Sequence, residues 1–148
     1  MLDGLDAPRV PHWVAGGWGV AVLVGRQTRV HRDLDLAVDA SALRACLSTL
    51  HDLGYVVETD WLPVRVELEG TGDAWVDVHP VTFDSDGQGR QPARDAADFV
   101  YPPTAFTAGV LRGRRIPCLS REQQRVFHQG YRLRPKDRHD LDQLDHLT

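Results

Sequence analysis

Apolar and polar side chains alternate between positions 29 and 39, where Val30, Leu34, Leu36 and Val38 all fall on even numbers. A period of two residues is typical of a strand that buries one face. On a helix, residues two apart would point to nearly opposite sides. The pattern therefore predicts a β-strand over this run, with the odd-numbered side chains on its other face.

The segment before this strand is an apolar run divided by glycines. Trp13–Ala15 predicts a short extended segment, Gly16-Gly17 predicts a turn, and Trp18–Val24 predicts a helix. Glycine is the usual residue just past a helix end, because it adopts the left-handed conformation at little cost. We therefore expect this helix to stop at Gly25.

After the strand, the spacing of apolar residues changes to that of a helix and then returns to that of strands. Asp39 or Ser41 can cap the helix, and Gly54 ends it. Its buried stripe comprises Leu43, Cys46, Leu47, Leu50 and Leu53. Strands are predicted over residues 55–58, 63–68 and 74–83. The last two flank the turn-forming residues 69–73, so we expect them to form an antiparallel hairpin.

The remainder of the chain predicts a polar loop over 84–98 and shorter strands within 99–117. Ser120, followed three residues later by Gln123, matches a capping box and predicts a helix through His128. Pro135 suits the first turn of a last helix. The leucines of that helix recur every third residue at Leu141, Leu144 and Leu147.

Strands and helices are mixed without the regular alternation of a doubly wound sheet, so the predicted fold class is α+β. A chain of 148 residues is close to the commonest domain size. We therefore predict a single domain over residues 1–148, with a core over about 8–117 and a C-terminal helical part over about 118–148.

Composition narrows the possible partners and compartment. The formal net charge of -4 gives no basic field for a polynucleotide, so we expect no nucleic-acid partner. Cys46 and Cys118 have no metal-binding spacing and predict buried free thiols. The chain has no apolar run long enough to cross a membrane and no leader-like start, so a cytoplasmic protein is expected.

Asp33 and Asp35 are the first candidates for chemistry. If they lie on a strand, both carboxylates share one face, with Cα atoms roughly 6.7 Å apart. Hard oxygen ligands in this arrangement suit Mg²⁺. A solvent-facing strand edge that carries two aspartates is the alternative interpretation.

Two further features favour phosphate chemistry. The Gly16-Gly17 turn before a helix lets a phosphate approach backbone N–H groups, although a plain tight turn has the same sequence. Asp77 stands between apolar neighbours on a later strand and can add a third carboxylate or a general base. Three carboxylates, a glycine turn and a following helix predict metal-assisted phosphoryl or nucleotidyl transfer with two Mg²⁺ ions. Arg29, Arg32 and Arg65 are candidate phosphate clamps. Arg32 equally suits a solvated surface charge, and Arg65 can pair with Glu67 on its own strand.

The same residues carry a family resemblance. Gly16-Gly17-Trp18, the motif G-R-x-T-R-x-H-x-D-x-D over residues 25–35, and V-D-x-H-P over residues 76–80 resemble the DNA polymerase β-type nucleotidyltransferases. Within them the chain is similar to the antibiotic-modifying branch, the lincosamide and aminoglycoside 2''-nucleotidyltransferases. One departure is Ala21, where the family commonly has an aspartate outside the metal triad.

The resemblance implies an α+β nucleotidyltransferase fold and a set of site residues. Asp33, Asp35 and Asp77 would bind Mg²⁺ and carry catalysis. Nucleotide-binding residues would be Gly16, Gly17, Trp18, Arg29, Arg65 and Lys136. A nucleoside monophosphate, usually AMP from ATP, would move to a hydroxyl of a small molecule.

Several alternatives stay open at this point. An aminoglycoside acceptor suits the acidic chain, followed by a lincosamide and then by an acceptor that is not an antibiotic. A rival is a non-catalytic, antitoxin-like binding domain of the same fold. Because the chain is short for enclosing a large acceptor, a homodimer is a further hypothesis.

Overall fold

The fold is known from a computed structural model, which describes residues 1–6 and 9–147. The predicted boundaries at residues 8 and 148 lie outside the described residues. The strands are β1 His12–Ala15, β2 Asp33–Asp39, β3 Val56–Trp61, β4 Arg65–Glu69, β5 Trp75–Phe83, β6 Gly89–Gln91, β7 Phe99–Tyr101, β8 Phe106–Leu111 and β9 Arg114–Leu119. The helices are α1 Leu2–Asp6, α2 Gly16–Val24, α3 Leu43–Asp52, α4 Arg121–Val126 and α5 Pro135–Asp145.

The strands form one mixed sheet with the order β3-β4-β5-β2-β1-β9-β8, to which β6 and β7 are attached through β5. β2 runs parallel to β5 and antiparallel to β1. The predicted hairpin is confirmed, because β4 pairs with β5 in antiparallel fashion. This α+β arrangement agrees with the predicted fold class.

Alternation along β2 and β5 divides the sheet into an apolar face and a polar face. Leu36 and Val78, both 0% exposed, point from the even-numbered face into a core that also contains Leu5, Cys46 and Leu50 from the helices. Burying such side chains stabilises the fold by about 1.5–3 kcal/mol each. The odd-numbered face is thereby left to present the aspartates.

Several predicted boundaries in the first half are wrong. Val30 is 87% exposed and β2 begins only at Asp33, because the residues before it have no strand partner to pair with. The helix α2 begins at Gly16, so the two glycines form its first turn rather than a separate one. The strand predicted over residues 55–58 is shifted toward the C-terminus, since β3 spans Val56–Trp61, where it pairs with β4.

The second half also departs from the predictions. Residues 84–98 are not all loop, because Gly89–Gln91 forms β6 between β5 and β7. Strand β9 continues to Leu119 by pairing with β8, so the C-terminal helical part begins later than residue 118. Helix α4 ends at Val126, two residues before the predicted end.

Other local predictions are confirmed. Ser120 accepts a hydrogen bond from the backbone N–H of Gln123 at 3.2 Å, and Pro135 occupies the first turn of α5. Cys46 and Cys118 are buried free thiols, whose pKa burial raises to about 12 and about 11. Within the described part of the chain, no helix is both long and apolar enough to span a membrane.

Candidate active site

The parallel pairing of β2 and β5 brings two of the three predicted carboxylates, Asp35 and Asp77, together. Asp35 is the direct partner of Asp77, and His79 follows Asp77 on the same face. Ligand-type atoms of Asp35, Asp77 and His79 all lie within 4.8 Å of one another. Asp33 lies two residues before Asp35 on the same face of β2, and its strand partner is Trp75. Oδ1 of Asp33 lies 3.5 Å from Nε of Arg32.

Asp77 is the most buried of the three aspartates, at 7% exposure. Its Oδ2 accepts a hydrogen bond from Nη1 of Arg65 at 2.5 Å, whereas its buried Oδ1 has no hydrogen-bond partner among the described residues. Burial raises the pKa of Asp77 and the nearby Asp35 adds to this, while His79 and Arg65 oppose it. The distance from Nη1 of Arg65 to Oε2 of Glu67 is 3.8 Å. Arg65 thus contacts Asp77 more closely than it contacts Glu67.

The glycines of α2 lie against these side chains. Gly16 has a φ of 59°, and a Cβ added there would overlap Oδ2 of Asp35. A Cβ at Gly17 would overlap Nδ1 of His31 and a guanidinium nitrogen of Arg29. Only glycine allows this close approach, which brings the first N–H groups of a helix next to the carboxylates.

A cleft of about 180 Å³ opens over this turn. Gly16, Gly17, Asp33 and Asp35 line one side of it, together with Arg29 and Arg32. The other side comes from the C-terminal part and comprises His128, Tyr131, Arg134, Lys136, Asp137 and Asp140. The cleft combines cationic side chains and a helix N-terminus, which are the groups that bind phosphates in proteins.

Arg29 links the two sides of the cleft. Its Nε and Nη2 donate to the two carboxylate oxygens of Asp140 at 2.8 and 2.6 Å. Asp140 is 2% exposed, so the pair ties α5 to the segment before β2. Trp18, in contrast, lies outside this cleft and packs on His31 with ring centroids 4.7 Å apart.

A second cavity of about 250 Å³ also reaches Asp35. Its lining is mostly apolar and comprises Ala15, Gly16, Asp35, Ala37, His79, Gln91, Phe99, Tyr101 and Phe127. Sequence reasoning missed the four residues from Gln91 onwards, because they lie in or beyond the segment predicted as loop and short strands. For Phe99 and Tyr101 the sequence signal was the apolar spacing within 99–106. This spacing does not predict which cavity their aromatic rings line.

Comparison with known proteins identifies the family. A sequence profile described as aminoglycoside-2''-adenylyltransferase matches residues 1–144. The chain belongs to the aminoglycoside-2''-adenylyltransferase family. The prediction of an enzyme of the antibiotic-modifying nucleotidyltransferase branch is thereby confirmed.

Individual proteins that are similar to this chain support the same assignment. A lincosamide resistance protein of Staphylococcus haemolyticus is 36% identical over 148 residues, which is 100% of this chain and 92% of the relative. A 2''-aminoglycoside nucleotidyltransferase of Klebsiella pneumoniae is 29% identical over 122 residues, covering 82% of this chain and 65% of the relative. The crystal structure of the lincosamide antibiotic adenylyltransferase LnuA, lincomycin-bound, is 37% identical with a TM-score of 0.89, covering 99% of this chain and 93% of that chain.

The site has side chains that are suitable ligands for a divalent cation. Oδ1 atoms of Asp33 and Asp77 are buried and accept no hydrogen bond within the part of the chain that the structure describes, which is costly for a carboxylate unless another group compensates. Carboxylate oxygens are the ligands that Mg²⁺ prefers. The donor set therefore fits a cation of this kind.

Proposed function

We propose that the protein transfers AMP from ATP to a hydroxyl group of a lincosamide antibiotic in a Mg²⁺-dependent reaction. The observation that carries this proposal is the pair of cavities that meet at Asp35, one lined by charged side chains and one aromatic. A nucleotide in the first and an apolar acceptor in the second would both reach the same carboxylate.

The charged cleft, with Mg²⁺ on its aspartates, suits the triphosphate of the nucleotide. Arg29, Arg32, Arg134 and Lys136 line it, and the N-terminus of α2 adds backbone donors. Guanidinium groups and helix N-termini both stabilise phosphate charge. Trp18 and Arg65 remain predicted nucleotide contacts, but their positions outside this lining make them weaker candidates than Arg29 and Lys136.

The aromatic cavity favours a lincosamide over an aminoglycoside. Several ammonium groups on one acceptor need several carboxylates, and this lining offers Asp35 alone among rings and methyl groups. An acceptor with an apolar alkyl portion would bury that portion against Phe99, Tyr101 and Phe127. The lincosamide resistance protein is also more identical to this chain than the aminoglycoside nucleotidyltransferase is, and the match covers more of its length, which supports the same choice. We therefore propose a lincosamide ahead of the aminoglycoside that the net charge of -4 favoured.

The chemistry is an in-line displacement at phosphorus. The acceptor hydroxyl oxygen forms a bond to the α-phosphorus of ATP, the bond from that phosphorus to the bridging oxygen breaks, and pyrophosphate leaves with the bonding electrons. The hydroxyl proton moves to Oδ1 of Asp77, whose raised pKa suits a general base. Asp33, Asp35 and Asp77 would hold Mg²⁺, which when bound would offset the charge of the phosphates.

A direct test is to incubate the purified protein with ATP, Mg²⁺ and either lincomycin or tobramycin. We expect a mass increase of one adenylyl group on lincomycin, with equal release of pyrophosphate, and little change in tobramycin. Transfer to tobramycin alone would contradict the acceptor assignment. No transfer to either, together with no Mg²⁺-dependent ATP binding, would instead favour the non-catalytic binding domain.

A Phe127→Ser variant tests the acceptor cavity separately. We expect its KM for lincomycin to rise by about tenfold, because a buried apolar contact is lost, while its KM for ATP stays unchanged. Val126→Ser is the matched control, since Val126 is the neighbouring residue and is 40% exposed. An equal effect on both substrates would contradict the assignment of this cavity to the acceptor.

The predicted homodimer remains a proposal. Edge strand β3 exposes Val56, Val57 and Trp61 by 61%, 46% and 43%, which gives a second copy an apolar edge to pair with. Light scattering should then give twice the monomer mass, and a monomer with full activity would contradict it. The cytoplasmic location and the absence of a nucleic-acid partner likewise remain predictions.

A further inference from the structure

A chain of polar contacts runs from the aromatic cavity to the carboxylates. The hydroxyl of Tyr101 is bonded to Oε1 of Gln91, and Nε2 of Gln91 lies 3.2 Å from Nδ1 of His79. Nε2 of His79 lies 3.5 Å from Oδ1 of Asp35 and 3.9 Å from Oδ2 of Asp77. The state of His79 therefore depends on which group donates at each link.

The direction of the chain is set at its buried end. Tyr101 is 1% exposed, and burial raises the pKa of its hydroxyl, so that it keeps its proton. That hydroxyl is hydrogen-bonded to the side chain of Gln91. A buried donor that is left unpaired costs about 1–3 kcal/mol. Tyr101 must therefore donate to the amide oxygen, and the amide nitrogen of Gln91 is left facing His79.

The orientation of Gln91 then decides the tautomer of His79. An amide nitrogen can only donate, so Nδ1 of His79 must accept and cannot carry a hydrogen. In a neutral imidazole the hydrogen is then on Nε2, the nitrogen that faces the two carboxylates. A protonated nitrogen has no free lone pair for a metal ion.

We infer that Tyr101 and Gln91 hold His79 as a hydrogen-bond donor toward Asp35 and Asp77, and that His79 is a positioning residue rather than a metal ligand. Although His79 is close enough to complete a three-ligand group with the two aspartates, its lone pair points away from them. The cation ligands are then oxygens only, which is the set that distinguishes a Mg²⁺ site from a site for softer metals.

The arrangement fixes the carboxylate of Asp35 from two sides. Its Oδ2 lies against the backbone of Gly16, and its Oδ1 faces the N–H of His79. An N–H between two carboxylates also reduces their mutual repulsion. The catalytic consequence rests on the proposed nucleotidyl transfer, whereas the tautomer itself does not.

The tautomer can be read directly from the metal-free protein. Histidines would be labelled with ¹⁵N, the ring nitrogens observed by long-range ¹H–¹⁵N correlation at about pH 8, above the ordinary pKa of histidine, and His79 assigned with a His79→Gln variant. We expect a protonated Nε2 and a bare Nδ1, both without and with saturating Mg²⁺. A bare Nε2, protons on both nitrogens, or loss of the Nε2 proton on adding Mg²⁺ would overturn the inference.

A Gln91→Glu variant tests the cause. A carboxylate accepts where the amide donated, so we expect Nδ1 of His79 to gain a proton in the spectrum and kcat to fall by about tenfold with little change in the KM for ATP. Gln129→Glu, an exposed change of the same kind, is the control. An unchanged His79 spectrum in folded Gln91→Glu would refute the role of Gln91. Because these spectra need no substrate, failure of the lincosamide proposal would leave them unaffected.

Discussion

Asp35 occupies the most constrained position of the site at the scale of single residues. It is the partner of Asp77 across the parallel strands, it lies against Gly16, and it lines both cavities. Burial raises the pKa of Asp77, and the like charge of Asp35 adds to this. Such repulsion is the cost of holding two anions close enough to share a cation.

An Asp35→Asn substitution should separate catalysis from stability. We expect transfer to fall by at least about 100-fold, because a charged ligand is lost, while the melting temperature stays equal or rises as the repulsion is relieved. Activity assays and calorimetry on the same preparation would measure both. Asp52→Asn, an exposed change at the end of α3, serves as the control. Full activity in Asp35→Asn would contradict its assigned role.

Gly16 and Gly72 provide a matched pair for testing the close approach. Both have a positive φ, 59° and 66°, but a Cβ at Gly72 meets nothing within 4 Å whereas one at Gly16 overlaps Asp35. Gly72→Ala should lower the free energy of unfolding by about 1 kcal/mol, from backbone strain alone. Gly16→Ala should cost more than that and should also abolish transfer. Equal costs in urea unfolding would show that the contact with Asp35 is unimportant.

At the scale of elements, the C-terminal part completes the site. Helix α5 contributes Lys136, Asp137 and Asp140 to the cleft, and Arg29 ties it to the other side. Burial opposes ionisation of Asp137, but hydrogen bonds from the side chain and backbone of Arg134 lower its pKa from 3.8 to about 2. Asp137 thereby caps the start of α5, because its carboxylate accepts from the backbone N–H and the guanidinium of Arg134, the residue just before the helix.

This lowered pKa predicts how α5 responds to acid. Because the folded pKa lies below the unfolded value, Asp137 stabilises the protein above about pH 3.8, and this contribution is lost as the pH falls through about 2. Asp137→Asn should therefore be less stable than the parent at pH 6, and the difference should vanish toward pH 2. Urea unfolding across this range would measure it, with Asp142→Asn as the control on the same helix. A difference that does not vary with pH would refute the ionic role.

At the scale of the whole molecule, the fold divides structural and chemical tasks between the two faces of the sheet. The even-numbered face carries the main apolar core, and the odd-numbered face carries the carboxylates and the two cavities. The buried Oδ1 of Asp77, which accepts no hydrogen bond from the described residues, costs stability in the absence of a cation. Ligand binding should recover that cost.

Mg²⁺ together with a non-hydrolysable ATP analogue should therefore raise the melting temperature. A ligand at 100 times its Kd stabilises by about 2.7 kcal/mol, which for a domain of this size is a rise of about 5–10 °C. Differential scanning fluorimetry would measure the shift, with EDTA reversing it. The Asp35→Asn variant should show little response. An equal shift in that variant would place the bound cation elsewhere.

The sequence by itself determined the side-chain periodicities, and therefore most of the sheet strands, together with the cap at Ser120, the helix start at Pro135 and the motif residues of the nucleotidyltransferase family. These features are local, because side-chain spacing and backbone preference act over a few residues. Only the tertiary structure decided that Asp35 faces Asp77, that Arg29 pairs with Asp140, and that Gln91 and Tyr101 reach His79. Those contacts join residues from 10 to 111 positions apart. Strand register and helix docking bring them together, and no short-range pattern encodes either of these.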